Sequence, residues 1–514
     1  MEHLHAACTN LRAAMTRWLH QSIRADIPGP HCGGEDEANY ALAWFQHYLI
    51  TGEKAVTERF RSLLSDLEDW VDLECHHGYE PEAEAHHGTE PFLLFLPRYL
   101  GLFPKDDIAR VILEDAAHHI GNWVDGIPAW FDYDRDVFRS YRIGTRTVDT
   151  DPRFTFEVAE HFRFVHIALA AYRITGETIY LDWALRYGRR RAERILAAGD
   201  GPMPVLWTLD GEGLQMDELQ TREQHTMAAS NHHVGGDPLA GVENLLASGV
   251  TYALGDLYLH SEEDLFREAA RRVIEPLMAE LLDPFADPAA AAISHYRWAF
   301  DDASLDQSIL DALQAVPPAS ELPWAMVFPQ ERVRREPGVG KRNDMIYWGR
   351  WRDDGQVIPA TEPSTAALAL AYQLTGEEGY AARALSTAAV KLDMAQRVLR
   401  GGREHADMGG AVCSVAAGHG RNWGEGAVTG CYGPLLLGTF TVQGAVQPLV
   451  ELEAGCLPES VVTLVTPPVG GRGAVSFRNA GAETARLRWR AAGAVAWRAL
   501  ELEARQTAEF GLDR

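Results

Sequence analysis

Residues 372–377 read YQLTGE, and the same pattern recurs as YRITGE at 172–177 and YLITGE at 48–53. Each copy closes an apolar periodic stretch and opens another. Glycine tolerates the left-handed backbone that ends a helix, and a glutamate just after it suits the positive end of the next one. The hexapeptide therefore predicts helix, tight turn, helix, with stops at Gly52, Gly176 and Gly376. Looser copies are read at 252–256 and 99–106. Internal repetition of this kind decides the fold before any single element is assigned.

Working outward from these turns, apolar spacing predicts helices near 4–22, 35–51, 54–72, 90–101, 105–123, 158–174, 178–197, 240–257, 261–282, 304–314, 362–374 and 377–396. The other joints are long: about 73–89, 124–157, 198–239 and 315–361. In a stack of antiparallel hairpins, alternate connections lie at opposite ends. Short turns then gather on one face and long loops on the other. Loops of such length inside a compact domain carry function, so the site is expected on the long-loop face. A tetratricopeptide-like solenoid would need shorter, evenly spaced repeats. The unequal units and the Trp, His, Arg and Gly of the inserted loops favour a closed ring.

From about Thr439 the pattern changes to strict alternation, over 461–466, 474–477, 484–490, 494–500 and 506–510, punctuated by Pro467, Pro468 and glycines. A small antiparallel β domain at 439–514 is expected to follow a helical domain at 1–438, capping it rather than doing chemistry. The pattern over 1–435 resembles the (α/α)6 toroids of glycoside hydrolases, sugar epimerases and polysaccharide lyases. That resemblance implies a mainly α fold, an (α/α)6 toroid with its ring complete or incomplete, and a cleft that holds a sugar chain.

Composition narrows the partners. The chain of 514 residues is 46% hydrophobic and 23% charged, and no apolar run is long enough for a membrane span. A formal net charge of -26 repels nucleic acid and anionic membrane surfaces. A polyanionic substrate would meet the same field and would need a local cluster of arginines. Met1 to Trp18 lacks the layout of a signal peptide, so the chain reads as cytoplasmic unless a leader has been removed. Cys8, Cys32, Cys75, Cys413, Cys431 and Cys456 form no CxxC pair and read as reduced thiols. No cofactor motif is found: HExxH, GxxxxGK[ST], GxSxG and the dinucleotide fingerprint are all absent. A metal on His86, His87, His232 or His233 has no ligand spacing to enforce it, so none is expected. A homo-oligomer is compatible with this composition.

Candidate residues fall in the long loops and at the helix starts beside them. Thr89-Glu90-Pro91 and Thr361-Glu362-Pro363 each precede an apolar helix. Capping explains both equally well, since Thr, Glu and Pro all suit a first turn. As catalysts, Glu90 and Glu362 could serve as acid and base; His86 and His87 lie just upstream of the first. The loop at 342–352 interleaves Arg342, Tyr347, Trp348 and Arg350, and the loop at 418–426 carries Arg421 and Trp423. Aromatic faces stack on sugars, and arginine forks match carboxylates. With Arg139, Arg142, Arg146 and Arg163, they supply the positive cluster an acidic glycan requires. Tyr347 flanked by arginines rivals Tyr296 as a proton-transferring phenol. His161 sits near a helix start and is read as substrate-binding, whereas His118, His119 and His166 sit within helices and read as packing or surface residues.

Asn231-His232-His233, just before the helix at 240, resembles the Asn-His pair of toroidal lyases of the alginate and heparin type. The resemblance implies that Asn231 or His232 neutralises a uronate carboxylate while a tyrosine or histidine removes the C5 proton. Tyr296 and then His405 follow in the order such lyases use, with His233 beside the substrate. Those lyases carry a large β-sandwich after the toroid, where about 75 residues remain in this chain. The leading expectation is β-elimination of a uronic-acid-containing poly- or oligosaccharide. Its competitors are hydrolysis by Glu90 and Glu362, or by Asp132, then a sugar epimerase, then a non-catalytic glycan-binding helical protein.

Overall fold

The computed structural model describes residues 2–25, 33–85, 88–121, 124–228, 239–281, 287–314, 324–327, 356–359, 364–399, 429–440 and 448–513. At the repeated hexapeptide the backbone repeats too. Gly52, Gly176 and Gly376 adopt φ of 70°, 77° and 72°, and each donates its N–H to the carbonyl of Tyr48, Tyr172 or Tyr372. The hydroxyls of Thr175 and Thr375 donate back to Ala171 and Ala371 and accept the N–H of Glu177 and Glu377, both at 3.1 Å. One tight cap thus serves several helix pairs.

A further copy is hidden at 258–263, YLHSEE, where Glu262 takes φ 56° in the place of glycine and donates to Tyr258 O. The looser copy expected at 252–256 is corrected by this, because the helix continues to Ser261. A left-handed glutamate is strained by contact of Cβ with its own backbone. Glu262→Gly is therefore expected to stabilise the protein by about 1 kcal/mol, and Gly176→Ala to cost about as much. A Cβ at Gly176 meets nothing within 4 Å, so that cost is purely conformational. Thermal or urea unfolding checks both, and a drop in stability for Glu262→Gly would refute the assignment.

The helices are α1 (Glu2–Ala25), α2 (Glu35–Thr51), α3 (Lys54–Glu74), α4 (Leu96–Leu102), α5 (Asp107–His118), α6 (Arg163–Thr175), α7 (Thr178–Ala197) and α8 (Arg222–Ala228). They continue as α9 (Ala240–Ala247), α10 (Val250–Ser261), α11 (Asp264–Leu277), α12 (Asp287–Phe300), α13 (Asp306–Gln314), α14 (Thr365–Thr375), α15 (Glu378–Leu399) and α16 (Tyr432–Leu437). A π-helical turn, Pro91–Phe95, leads into α4, and a 3-10 turn, Ala159–Phe162, leads into α6. The first helix of each short-turn pair is largely buried, whereas its partner buries one stripe. Amphipathic α11, for example, buries Phe266, Ala269, Ala270, Val273, Ile274 and Leu277.

Rungs between neighbours set the helix directions. His166 bonds Gly249 O at 3.1 Å and Arg173 pairs with Asp256 at 2.8 Å, while Tyr252 meets His295 at 4.3 Å and Tyr258 meets Phe300 at 4.9 Å. Residue numbers rise together along these contacts, so α6, α10 and α12 run parallel with their starts at one end. Contacts also join α2 to the π turn, the π turn to α6, α12 to α14, α16 to α2, α7 to α11, and α1 to α15. Among the described residues the fold is thus mostly helical, and no helix is long and apolar enough to cross a membrane.

The C-terminal residues form two three-stranded antiparallel sheets. One orders Val450–Leu452, Ala485–Ala491 and Arg498–Leu502; the other orders Val461–Val469, Arg472–Asn479 and Thr507–Gly511. Phe477, Trp489 and Phe510 pack together between them, with ring centroids 5.0 to 6.1 Å apart. This unit covers the short-turn end: Leu457 N–H donates to Ile50 O at 2.9 Å, Gly470 N–H to Asp301 at 2.7 Å, and Arg478 pairs with Glu378. Its contacts with these turns leave the opposite end to the long connections.

Candidate active site

Two helix starts meet at the long-loop end. Arg163, in the first turn of α6, donates from one Nη1 to Glu90 Oε1 at 3.0 Å and to Thr89 Oγ1 at 3.3 Å. Pro91 follows Glu90 and opens the π turn, a widened geometry that recurs at functional sites. Three residues before Arg163, the 3-10 turn carries fully buried Glu160. The short helix α9 packs on this turn and brings buried Glu243 and Asn244 to the same end.

A short two-stranded ladder completes the group. Ala83–Glu84 pairs antiparallel with Arg142–Ile143, Glu84 standing opposite Arg142, and Tyr141 immediately precedes that strand. Tyr141 is buried, and its phenol is raised by burial, then by the charges of Glu160 and Glu84. It is therefore a neutral hydrogen-bond donor, not a phenolate. Carboxylates from distant chain segments thus stand at this end: Glu84 and Glu160 act on the Tyr141 phenol, and Glu90 pairs with the Arg163 guanidinium. Such a set can hold sugar hydroxyls, protonate a departing oxygen and activate water.

The expected residues divide. Glu90 belongs to this group. His161 lies in the same 3-10 turn, but its ring stacks on Phe138 at 4.2 Å and its Nδ1 accepts the Val158 N–H at 3.3 Å. Burial holds it well below the usual histidine range. The neutral ring, like Glu160 beside it, has no exposed surface, and it caps and packs the 3-10 turn. Arg139 and Arg142 stand on the neighbouring loop, half-exposed, paired with Asp132 at 3.1 Å and Glu82 at 3.0 Å. Arg139 also lines an open cavity of about 240 Å³ with Asp132, Arg135 and Asp149.

Tyr296 is placed elsewhere. It lies in the last turns of α12, toward the short-turn end, and its hydroxyl donates to Asp302 at 2.6 Å. Burial and the bonded Asp302 raise its phenol further from ionisation. Its position in sequence order gave no information about depth along the helix, and the structure does not bring it to the helix starts that carry Glu90 and Glu160. Asn231, His232 and His233 lie outside the described residues, as do Arg342, Tyr347, Trp348 and Arg350. His86, His87, Glu362, His405, Arg421 and Trp423 lie outside them as well. The helix expected from 362 begins at Thr365, capped by Ser364 Oγ accepting from Ala367 N–H at 3.0 Å.

Sequence reading missed Glu84, Tyr141, Glu160 and Glu243. A signal existed for the last, since Glu243-Asn244 interrupts an otherwise apolar stretch at 239–254. No protein-family model and no curated protein matches the chain. Among solved structures, the crystal structure of an unsaturated glucuronyl hydrolase specific for heparin is similar at a TM-score of 0.38 and 12% identity, over 57% of this chain and 78% of that one.

Proposed function

We infer that this chain is a carbohydrate-active enzyme whose helical hairpins close into an (α/α)6-type toroid over residues 1–438, with a β unit over 439–514. The ring reading rests on parallel α6, α10 and α12 and on the contacts that lead from α16 through α2, the π turn, α6, α10 and α12 to α14. The site reading rests on one observation: the buried Arg163–Glu90 pair, at 3.0 Å, joins two helix starts at the long-loop end, with buried Glu160 three residues before Arg163.

The reaction favoured is hydrolysis of a glycosidic bond, one carboxyl protonating the leaving oxygen and another carboxylate activating water or attacking carbon. β-Elimination needs a base at the sugar C5 proton. The bases expected for it, Tyr347 and His405, lie outside the described residues, whereas the carboxyl groups that hydrolysis uses stand among the described ones at Glu84, Glu90 and Glu160. Arg139 and Arg142 support a uronic-acid-containing substrate. Their present partners are partly exposed, and exchanging a surface ion pair for a substrate carboxylate costs little.

The test is a screen of acidic and neutral oligosaccharides followed by ultraviolet absorbance and mass together. Hydrolysis adds one water to the products and leaves the near ultraviolet unchanged. An absorbing product lighter by one water would replace hydrolysis with elimination. Turnover confined to neutral sugars would remove the uronate, and no turnover at all would leave a glycan-binding protein.

A further inference from the structure

We propose that His77, Asp115 and His119 form a site for one divalent transition-metal ion of the Zn2+ class, on the outer side of the long-loop end. The site shares no residue with the carboxylate group of the reading above and stands or falls independently of it.

Geometry carries the proposal. One ligand atom from each of the three residues lies within 4.8 Å of the others. His77 Nδ1 is 3.0 Å from Asp115 Oδ1 and 3.1 Å from Oδ2, and His119 Nδ1 is 3.0 Å from the same Oδ1. The two imidazoles lie parallel, 7° apart with centroids at 3.4 Å; His77 Nδ1 meets the Asp115 carboxylate, and His119 Nδ1, 2.8 Å from Asp115 O, lies beside it. Two imidazoles and one carboxylate whose ligand atoms lie within 4.8 Å of one another supply the donor types of a three-ligand zinc site, and an ion entering between them would replace their mutual hydrogen bonds. Imidazole with a single carboxylate suits Zn2+, Co2+ or Ni2+; Ca2+ and Mg2+ require more oxygen ligands.

The scaffold holds these donors firmly. Asp115 and His119 are one turn apart at the end of α5 and so share a face. His77 sits in a two-residue turn closed by His76 N–H to Tyr79 O at 2.9 Å and Tyr79 N–H to His76 O at 3.1 Å. Its φ of 54°, followed by 78° at Gly78, is the left-handed pair of a type I′ turn, a place that favours glycine or asparagine. Tyr79 Oη donates to Ala116 O at 2.6 Å and bolts the turn to α5. A Cβ on Gly78 would come within 2.9 Å of Phe92, so the turn cannot relax there. Side-chain exposures of 32%, 37% and 18% leave the site reachable from solvent. Three protein ligands also leave room for water at a fourth position.

The test uses the full chain, free of any affinity tag and stripped with chelator, then dialysed against Zn2+ and assayed for metal, with Co2+ absorption as a second readout. The wild type is expected to retain one equivalent that His77→Gln/His119→Gln loses. Asp115→Asn should weaken binding by roughly 100-fold or more, since even outer-sphere partners are worth 10–100-fold. Zn2+ should raise the melting temperature of the wild type alone. Circular dichroism checks that the variants fold; if the double variant does not, the near-isosteric Asp115→Asn decides. No zinc uptake by the wild type overturns the site, and so does uptake unchanged by these substitutions.

Discussion

Glu160→Gln and Glu84→Gln are each expected to lower kcat/KM by roughly 10²–10⁴, the span that a positioned acid or base contributes. Each amide keeps the shape of the side chain while removing its capacity to give or take a proton, so substrate binding should change far less than turnover. Tyr141→Phe should behave differently. Its phenol is held protonated by burial and by the charges of two carboxylates, so the substitution removes one donor to substrate, worth about tenfold in rate, and leaves the alkaline side of the pH profile in place. Tyr296→Phe, altered at the short-turn end, should be close to wild type. Steady-state kinetics on whichever oligosaccharide turns over measures all four. Wild-type rates in both glutamine variants would remove the carboxylate pair from the chemistry.

How far the sequence could lead is clearest at the turns. In YxxTGE, glycine supplies the left-handed cap, threonine closes it and glutamate starts the next helix, all within six residues, so local chemistry suffices. The copy at 258–263 escaped because Glu262 occupies the glycine place, and only tertiary packing holds a side chain in that conformation. Helix α12 escaped for another reason. Ala289, Ala290, Ala291, Ala292 and Ile293 are all buried, so 287–300 has no polar face and no helical stripe to read. Asp287-Pro288 before the alanine run was the remaining signal.

The candidate site was less legible because its members meet only after folding. Nothing near Tyr141 in sequence announces Glu84 and Glu160. Glu90 was found through its helix start, and the same cue led to Glu362, although the helix near it is capped by Ser364. His161 and His119 sit on helical elements that look alike in sequence. One is sealed against Phe138, and the other faces His77 across a turn; burial separates them and sequence does not.

Glu157→Ala is expected to destabilise the protein by about 3–5 kcal/mol, the cost of removing one member from a buried ion cluster. The Glu157 carboxylate, with no exposed surface, accepts from Phe138 N–H at 3.0 Å and Tyr187 Oη at 3.3 Å and pairs with Arg194; Arg191 stands 3.9 Å away. Arg191 donates to Tyr187 Oη at 2.9 Å and to Val158 O at 3.1 Å, and lies over Trp207 at 4.8 Å. Alanine would leave two guanidiniums in a low-dielectric site with their anion gone and the Phe138 N–H without its acceptor. Burial already lowers Arg194 to about 10, yet it stays protonated at neutral pH, so loss of charge offers no escape. Exposed Glu501, paired with Arg486 on the β unit, is the control: Glu501→Ala should leave the urea midpoint in place. Glu157 also anchors the segment that carries Glu160 three residues later, so a partly folded Glu157→Ala should lose turnover together with stability. Unfolding of Glu157→Ala at the wild-type urea concentration would mean that packing of Phe138, Phe162 and Trp207, rather than the ion cluster, holds the start of α6.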